Sequence, residues 1–358
     1  MIRIVNHRLR YSNGDVFSLV KTDDKIVFQG YLNQSSFTRH ILPLPSEGIT
    51  SSDIHTIVGD SLNGPLALLS MTGHLYTFQA NPSSPRQKDL RSSRMGNDDS
   101  PTLSNVAISG NGRTAITMLQ AKGSRMIHVL DFPTYSAFES WYLDPSGSSS
   151  ALTSQADGES KKYEHHMLPG LASKLIAGTT CFHLLTAEGN IFSWGDGRHP
   201  SCLGRVPSSE EPASKPCQVS ALGGIKIRKI DGCGWIFGAL SKEGDLYLWG
   251  RDKPGIEDDE ASLVHLVGGP SEEVKLLEGE MFENVLDFAI GNGHVVVVNA
   301  AGEVWGIGQN KNGQLGLGED GSESVSEWMK IESLDPGHFV GVAAGDLSSF
   351  IVANQNVP

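Results

Sequence analysis

Three stretches of the chain carry the same order of residues, and this repetition limits the fold more than any other feature. They are LIAGTTCFHLLTAEGNIFSWGDG (Leu175 to Gly197), IRKIDGCGWIFGALSKEGDLYLWGRD (Ile227 to Asp252) and VLDFAIGNGHVVVVNAAGEVWGIGQN (Val285 to Asn310). Each has an apolar stretch ending in Gly, a second apolar stretch, a small-residue turn with Gly, and an apolar stretch closing on Gly. The last two glycines stand six apart each time: Gly189 and Gly195, Gly244 and Gly250, Gly302 and Gly308. Fainter copies run from Ser12 to Gly30, Ile54 to Gln79 and Asn105 to Phe132, and a final copy from Val340 stops after its second strand. The first-turn glycines are Gly14, Gly59, Gly110, Gly178, Gly232, Gly291 and Gly345, spaced by 45, 51, 68, 54, 59 and 54 residues.

Apolar runs of about four to six residues, rich in Val, Ile, Leu and Phe and punctuated by Gly, predict short strands joined by tight turns. No stretch of about twelve residues sustains a helical period, so helices are expected to be minor. One four-stranded unit cannot bury both faces alone, and repetition in a ring supplies the missing core. The expectation is an all-β chain, a seven-bladed β-propeller with long inter-strand loops, forming one domain over 1–358. Trp194 and Trp249 are expected to pack between blades. The truncated last copy and the apolar start, Met1 to Val5, suggest that the N-terminus completes the seventh blade; six full blades with an incomplete seventh is the competing reading.

These units resemble the regulator-of-chromosome-condensation repeat. The tail from Trp305 to Gly318, with Gly313-Gln314-Leu315-Gly316, fits it closely, and Phe192 to His199 with Leu203-Gly204 fits in part. The resemblance is strong over 171–353 and faint over 1–132. The family histidine after the first turn is present at His294; Cys181 and Ser348 hold the equivalent places. The chain is similar to the small single-propeller members, including fungal alpha-tubulin-suppressor-like proteins. The resemblance implies a non-catalytic protein-interaction module, an adaptor or regulatory subunit linked to microtubule, tRNA-modification or chromatin-enzyme regulation. The alternative it implies is a guanine-nucleotide exchange factor for a Ran-type small GTPase. First turns of every blade lie on one face of a propeller, and exchange-factor members contact their GTPase through such turns. Carried over, the partner-binding candidates are Asp15, Asp60, Asn111, Thr179, Trp235, Asn292 and Asp346. An equally open reading is that these short side chains only stabilise tight turns.

Other segments interrupt the repeat. An insertion over about 133–170 contains the low-complexity PSGSSSALTSQADGESKK and is expected to be mobile there; its aromatic start, TYSAFESWYLD, caps a blade or docks a partner, capping being preferred. An acidic loop spans about 255–280. With 28 basic against 41 acidic side chains the formal net charge is −13, which argues against direct nucleic-acid binding. No apolar run reaches the length of a membrane span, and no export signal is seen, so a monomeric protein of cytoplasm and/or nucleus with reduced cysteines is expected. No cofactor is expected: Gly316-x-Gly318-x-x-Gly321 falls inside the repeat tail rather than in a βαβ unit. Cys181, His183, His199 and Cys202 lie close enough for zinc to be weighed, but buried thiols and a core histidine are preferred. His165 and His166 beside Glu164 are read as loop residues that do not converge on one ion. No spacing forces a catalytic pair.

Overall fold

The computed structural model describes residues 9–10, 16–21, 26–32, 36–42, 53–60, 64–79, 91–94, 101–120, 122–143, 163–251, 263, 266–267, 274–318, 321–331, 339–345 and 348–353. They form seven antiparallel sheets, each built from strands consecutive in sequence. The first sheet holds β1 (Leu9–Arg10), β2 (Val16–Lys21), β3 (Ile26–Leu32) and β4 (Ser36–Leu42). The second holds β5 (Ile54–Asp60), β6 (Gly64–Ser70), β7 (Leu75–Gln79) and β8 (Arg91–Arg94). The third holds β9 (Leu103–Ile108), β10 (Thr114–Met118), β11 (Met126–Phe132) and, after helix α1 (Tyr135–Leu143), β12 (Glu164–Pro169). The fourth holds β13 (Ala172–Ala177), β14 (Cys181–Thr186), β15 (Ile191–Gly195) and β16 (Cys217–Gln218). The fifth holds β17 (Ile227–Cys233), β18 (Ile236–Ser241), β19 (Leu246–Gly250) and β20 (Lys275–Leu276). The sixth holds β21 (Val285–Ile290), β22 (His294–Asn299), β23 (Val304–Gln309) and β24 (Ser324–Lys330). Among the described residues the seventh has two strands, β25 (Phe339–Ala344) and β26 (Ser349–Ala353). Met1 to Val5 lie outside the described residues.

The chain divides into two compact units, Met1–Leu175 and Ile176–Pro358. In the second unit, sheets stack face to face, so middle strands are covered on both sides. That is why β14, β18 and β22 are buried at every position and read as mostly apolar runs without alternation. One core cluster joins Ile191 and Leu203 to Ile230, Phe237 and Trp249; the next joins Leu240 and Leu248 to Phe288, Val295 and Val297; a third joins Val296 and Val298 to Val342 and Ala344. Trp194 and Trp249 are fully buried and stand opposite Phe182 and Phe237 across their hairpins. Each such side chain withdrawn from water contributes about 1.5–3 kcal/mol.

A small polar residue closes the second strand of four sheets and caps the turn that follows. Ser70, Thr186, Ser241 and Asn299 each accept, through the side-chain oxygen, the N–H four residues on, at 3.0, 3.2, 3.0 and 3.0 Å. Three residues after each cap stands a glycine with positive φ: Gly73 (83°), Gly189 (89°), Gly244 (98°) and Gly302 (76°). The sequence shorthand is therefore polar-x-x-Gly, and the second-turn glycines of the repeat are the left-handed residues these turns need.

In the first unit, the aromatic start of the insertion is helix α1. Phe138 and Tyr142 are fully buried, and they pack with Trp141 on Phe132, Leu75 and Leu103. The Tyr142 hydroxyl accepts the Leu75 N–H at 3.3 Å. The helix thus caps the cores of the second and third sheets. The end of the same insertion is β12, the outer strand of the third sheet; residues 144–162 between them lie outside the described residues. Of the acidic loop, 252–262, 264–265 and 268–273 also lie outside them.

Candidate functional site

Three first turns of the second unit form a row. Thr179 follows β13, Trp235 separates β17 from β18, and Asn292 separates β21 from β22. The Thr179 N–H donates to the Gly234 carbonyl at 2.7 Å, tying the fourth sheet's turn to the fifth's. A Cβ at Gly234 would lie 3.9 Å from Asn292 Oδ1, which places the sixth sheet's turn next in line. All three residues are half-buried.

Trp235 is the large side chain of the row. Its ring meets His199 edge to face, centroids 4.7 Å apart and planes at 78°. Arg251 Nη1 donates to His199 Nδ1 at 3.4 Å, so the His199 lone pair is on Nδ1 in this arrangement. The Trp235 carbonyl accepts from Arg251 N at 3.1 Å and from Cys202 Sγ at 3.6 Å. Close approach fixes this pocket: a Cβ at Gly250, φ 126°, would overlap the Trp235 carbonyl oxygen. Beside it Asp196 accepts from Arg198 Nε at 2.9 Å and from Nη2 at 2.5 Å. The side-chain bonds from Arg198 hold the Asp196 carboxyl at about 2, below the ordinary carboxylate range.

Below the row the titratable groups are dry. His183 is fully buried, and burial lowers its pKa to about 3, with the Arg205 charge acting the same way. Its Nε2 accepts from Trp249 Nε1 at 3.2 Å. Burial pushes the Cys202 thiol up to about 12. The zinc candidates thus have other uses: Cys181 Sγ donates to the Cys202 carbonyl at 3.6 Å, His183 serves Trp249, and His199 serves Trp235 and Arg251. Arg205 is buried too, and its guanidinium is met by the carbonyls of Ser193, Glu211, Pro212 and Lys215 at 2.9–3.2 Å and by the Ser193 hydroxyl at 3.3 Å. In the closely matching repeat tail, Asn310 does the equivalent work. Its Oδ1 accepts Leu315 N and its Nδ2 donates to the Ser322 carbonyl, both at 2.9 Å. His294 is buried with Nε2 3.0 Å from Ser349 Oγ.

In the first unit Asn111 is exposed, and its Oδ1 accepts Ser109 Oγ at 2.6 Å and Arg113 N at 3.4 Å, which is an Asx-type turn. Asp60 ends β5, and its side chain lies outside the described residues, as do Asp15 and Asp346 entirely. Thr179, Trp235 and Asn292 are therefore the sequence candidates that the second unit sets side by side. As partners of Trp235, His199 (weighed above only for zinc) and Arg251 were missed by sequence reasoning. Their only signal is position, just after the closing glycines Gly195 and Gly250.

Among the described residues no helix is long and apolar enough to cross a membrane. The family model of the regulator of chromosome condensation (RCC1) repeat matches residues 301–352. Human E3 ubiquitin-protein ligase HERC2 is 26% identical over 349 residues, covering 93% of this chain and 6% of that protein. Mouse RCC1 domain-containing protein 1 is 30% identical over 164 residues, covering 37% of this chain and 42% of that protein. The chain thus spans less than half the length of these relatives. Among solved structures, Prp20p from Saccharomyces cerevisiae aligns with a TM-score of 0.57 at 16% identity, over 96% of this chain and 82% of that one. The chain is mostly β, matches the RCC1 repeat over residues 301–352, is similar to RCC1-domain proteins, and has the fold of the RCC1-type β-propellers.

Proposed function

We propose that this chain is a non-catalytic protein-interaction module, an adaptor or regulatory subunit, which docks a protein partner on its first turns. The observation that carries this reading is Trp235, a half-buried aromatic held edge-on by His199 with Arg251 beside it. Trp and Arg concentrate binding energy at protein interfaces. Thr179 and Asn292 supply hydrogen-bonding groups on either side. In the first unit Asn111 is the described candidate; Asp15, Asp60 and Asp346 complete the proposed set. The similar Prp20p, whose structure was described with its binding to Gsp1p and histones, supports a protein partner as the class. Exchange of guanine nucleotide on a small GTPase is a finer form of the same reading.

Affinity capture from native extract tests it, using the full chain beside a Thr179→Ala/Trp235→Ala/Asn292→Ala variant. A protein retained by the first and lost by the second, with the variant still folded, is the expected result. Equal retention by both removes the turn row from the interface. Nucleotide release from a captured GTPase, measured with and without the chain, decides whether binding extends to exchange.

A further inference from the structure

We propose that His128 and His165 form a two-imidazole chelate for a copper(II)- or nickel(II)-class ion on the outer edge of the third sheet. His128 lies on β11 and His165 on β12, which pair antiparallel at that edge. His128 Nδ1 is 3.0 Å from His165 Nε2, and the rings lie within 15° of parallel. Two donors held at about 2.0–2.1 Å from one ion at a right angle are about 2.9 Å apart; a tetrahedral pair needs about 3.3 Å. The observed separation therefore suits cis positions of a tetragonal site, the preference of copper(II) and nickel(II) with imidazole donors.

The strand register sets which side chains share a face with the pair. Met167 stands directly opposite His128, and two residues along its own strand from His165, so all three share one face. Met167 and His165 are exposed, and His128 is half-buried. The face is open to an ion from solvent. Among the described residues no three His, Cys, Asp or Glu side chains are arranged to hold an ion, so the pair supplies two ligands and water or a partner's side chain completes the sphere. His166 belongs to the opposite face, where it approaches Glu164 at 3.5 Å.

Binding is balanced within the two rings. The nitrogens now share one hydrogen, carried by one ring as an N–H donor to the other. That hydrogen moves to the far nitrogen of its own ring, both lone pairs turn to the ion, and no net proton is released from the neutral pair.

The test uses the full chain titrated with copper(II) and, separately, nickel(II), followed by calorimetry and by nitrogen couplings in the copper(II) electron paramagnetic resonance spectrum. One equivalent should show coupling to two imidazole nitrogens. His128→Gln and His165→Gln should each weaken it about tenfold or more and remove one nitrogen, while His166→Gln should leave it unchanged. Equal affinity in the wild type and both variants would overturn the proposal, as would the same loss in His166→Gln. Should a variant fail to fold, the wild-type protein decides alone. Substoichiometric copper(II) should broaden the imidazole resonances of His128 and His165 first, and broadening first at other histidines sinks the site.

Discussion

Trp249 Nε1 donates to His183 Nε2 at 3.2 Å, an indole of the fifth sheet closing on an imidazole of the fourth. The bond requires a neutral acceptor nitrogen. The surroundings enforce neutrality, because the ring is fully buried and the Arg205 guanidinium disfavours a second proton.

This bond makes stability depend on pH. The His183 pKa falls from 6.5 to about 3 in the folded protein. Below 6.5 the unfolded chain takes up a proton that the folded chain refuses. Its contribution is complete above 6.5 and is lost as pH falls from 6.5 towards 3. At about 1.36 kcal/mol per unit, the whole window is worth up to about 5 kcal/mol. Melting temperature should fall through this range in the wild type and fall less in His183→Gln, which still offers Trp249 an acceptor. Parallel curves would remove His183 as the cause.

Arg205 should tolerate no conservative change. Its guanidinium satisfies four carbonyls and a hydroxyl in a space where Lys offers three donors on a point charge. Arg205→Lys is expected to cost about 1–3 kcal/mol for each buried acceptor left without a donor. Urea unfolding of the two proteins measures it, and equal midpoints would contradict the role.

Gly250→Ala should be worse than an ordinary loop substitution. A Cβ there overlaps the Trp235 carbonyl oxygen, and φ at 126° is already unfavourable for any L side chain. A loss of about 2–4 kcal/mol is expected from strain and displaced backbone together. Gly224→Ala is the control: φ is 85°, but nothing lies within 4 Å of the added atom, so only the backbone term remains. Thermal unfolding should rank the two in that order.

Trp235→Phe and Trp235→Ala separate packing from recognition. Phe retains the edge-to-face contact with His199, whereas Ala removes it. Partner capture should weaken with Phe and vanish with Ala. The stability change for Ala should stay near about 1 kcal/mol, the scale of one aromatic contact at a half-exposed site. A larger loss, matched by lost capture, would make Trp235 a packing residue.

The strands and turns were legible because two chemical signals coincide in each repeat. Buried middle strands such as HVVVVN are apolar on both faces, and the glycines at 73, 189, 244 and 302 mark turns that need positive φ. Helix α1 was harder to see. Its nine residues are aromatic rather than amphipathic with a clean stripe, so the insertion reads as a cap without revealing a helix. Strand β12 escaped because EHHMLP follows a polar stretch and forms an exposed edge, where alternation is weak. The same miss hid the His128–His165 pair, since 37 residues separate the rings and only the register of β11 and β12 joins them. At the turn row the sequence marked Thr179, Trp235 and Asn292 by equivalence of place. The contacts of His199 and Arg251 with Trp235 were not legible: His199, weighed only for zinc, reaches it from the neighbouring fourth sheet, and Arg251, in the same repeat as Trp235, follows Gly250 with no motif to mark it.

The bond from Thr179 N to the Gly234 carbonyl has a kinetic consequence. Turns that are cross-linked to one another keep their mutual spacing before any partner arrives. A protein landing on them meets a template already set, and little configurational freedom is frozen on contact. Differences in affinity among variants of this row should then appear mainly as residence time, with association rates nearly constant.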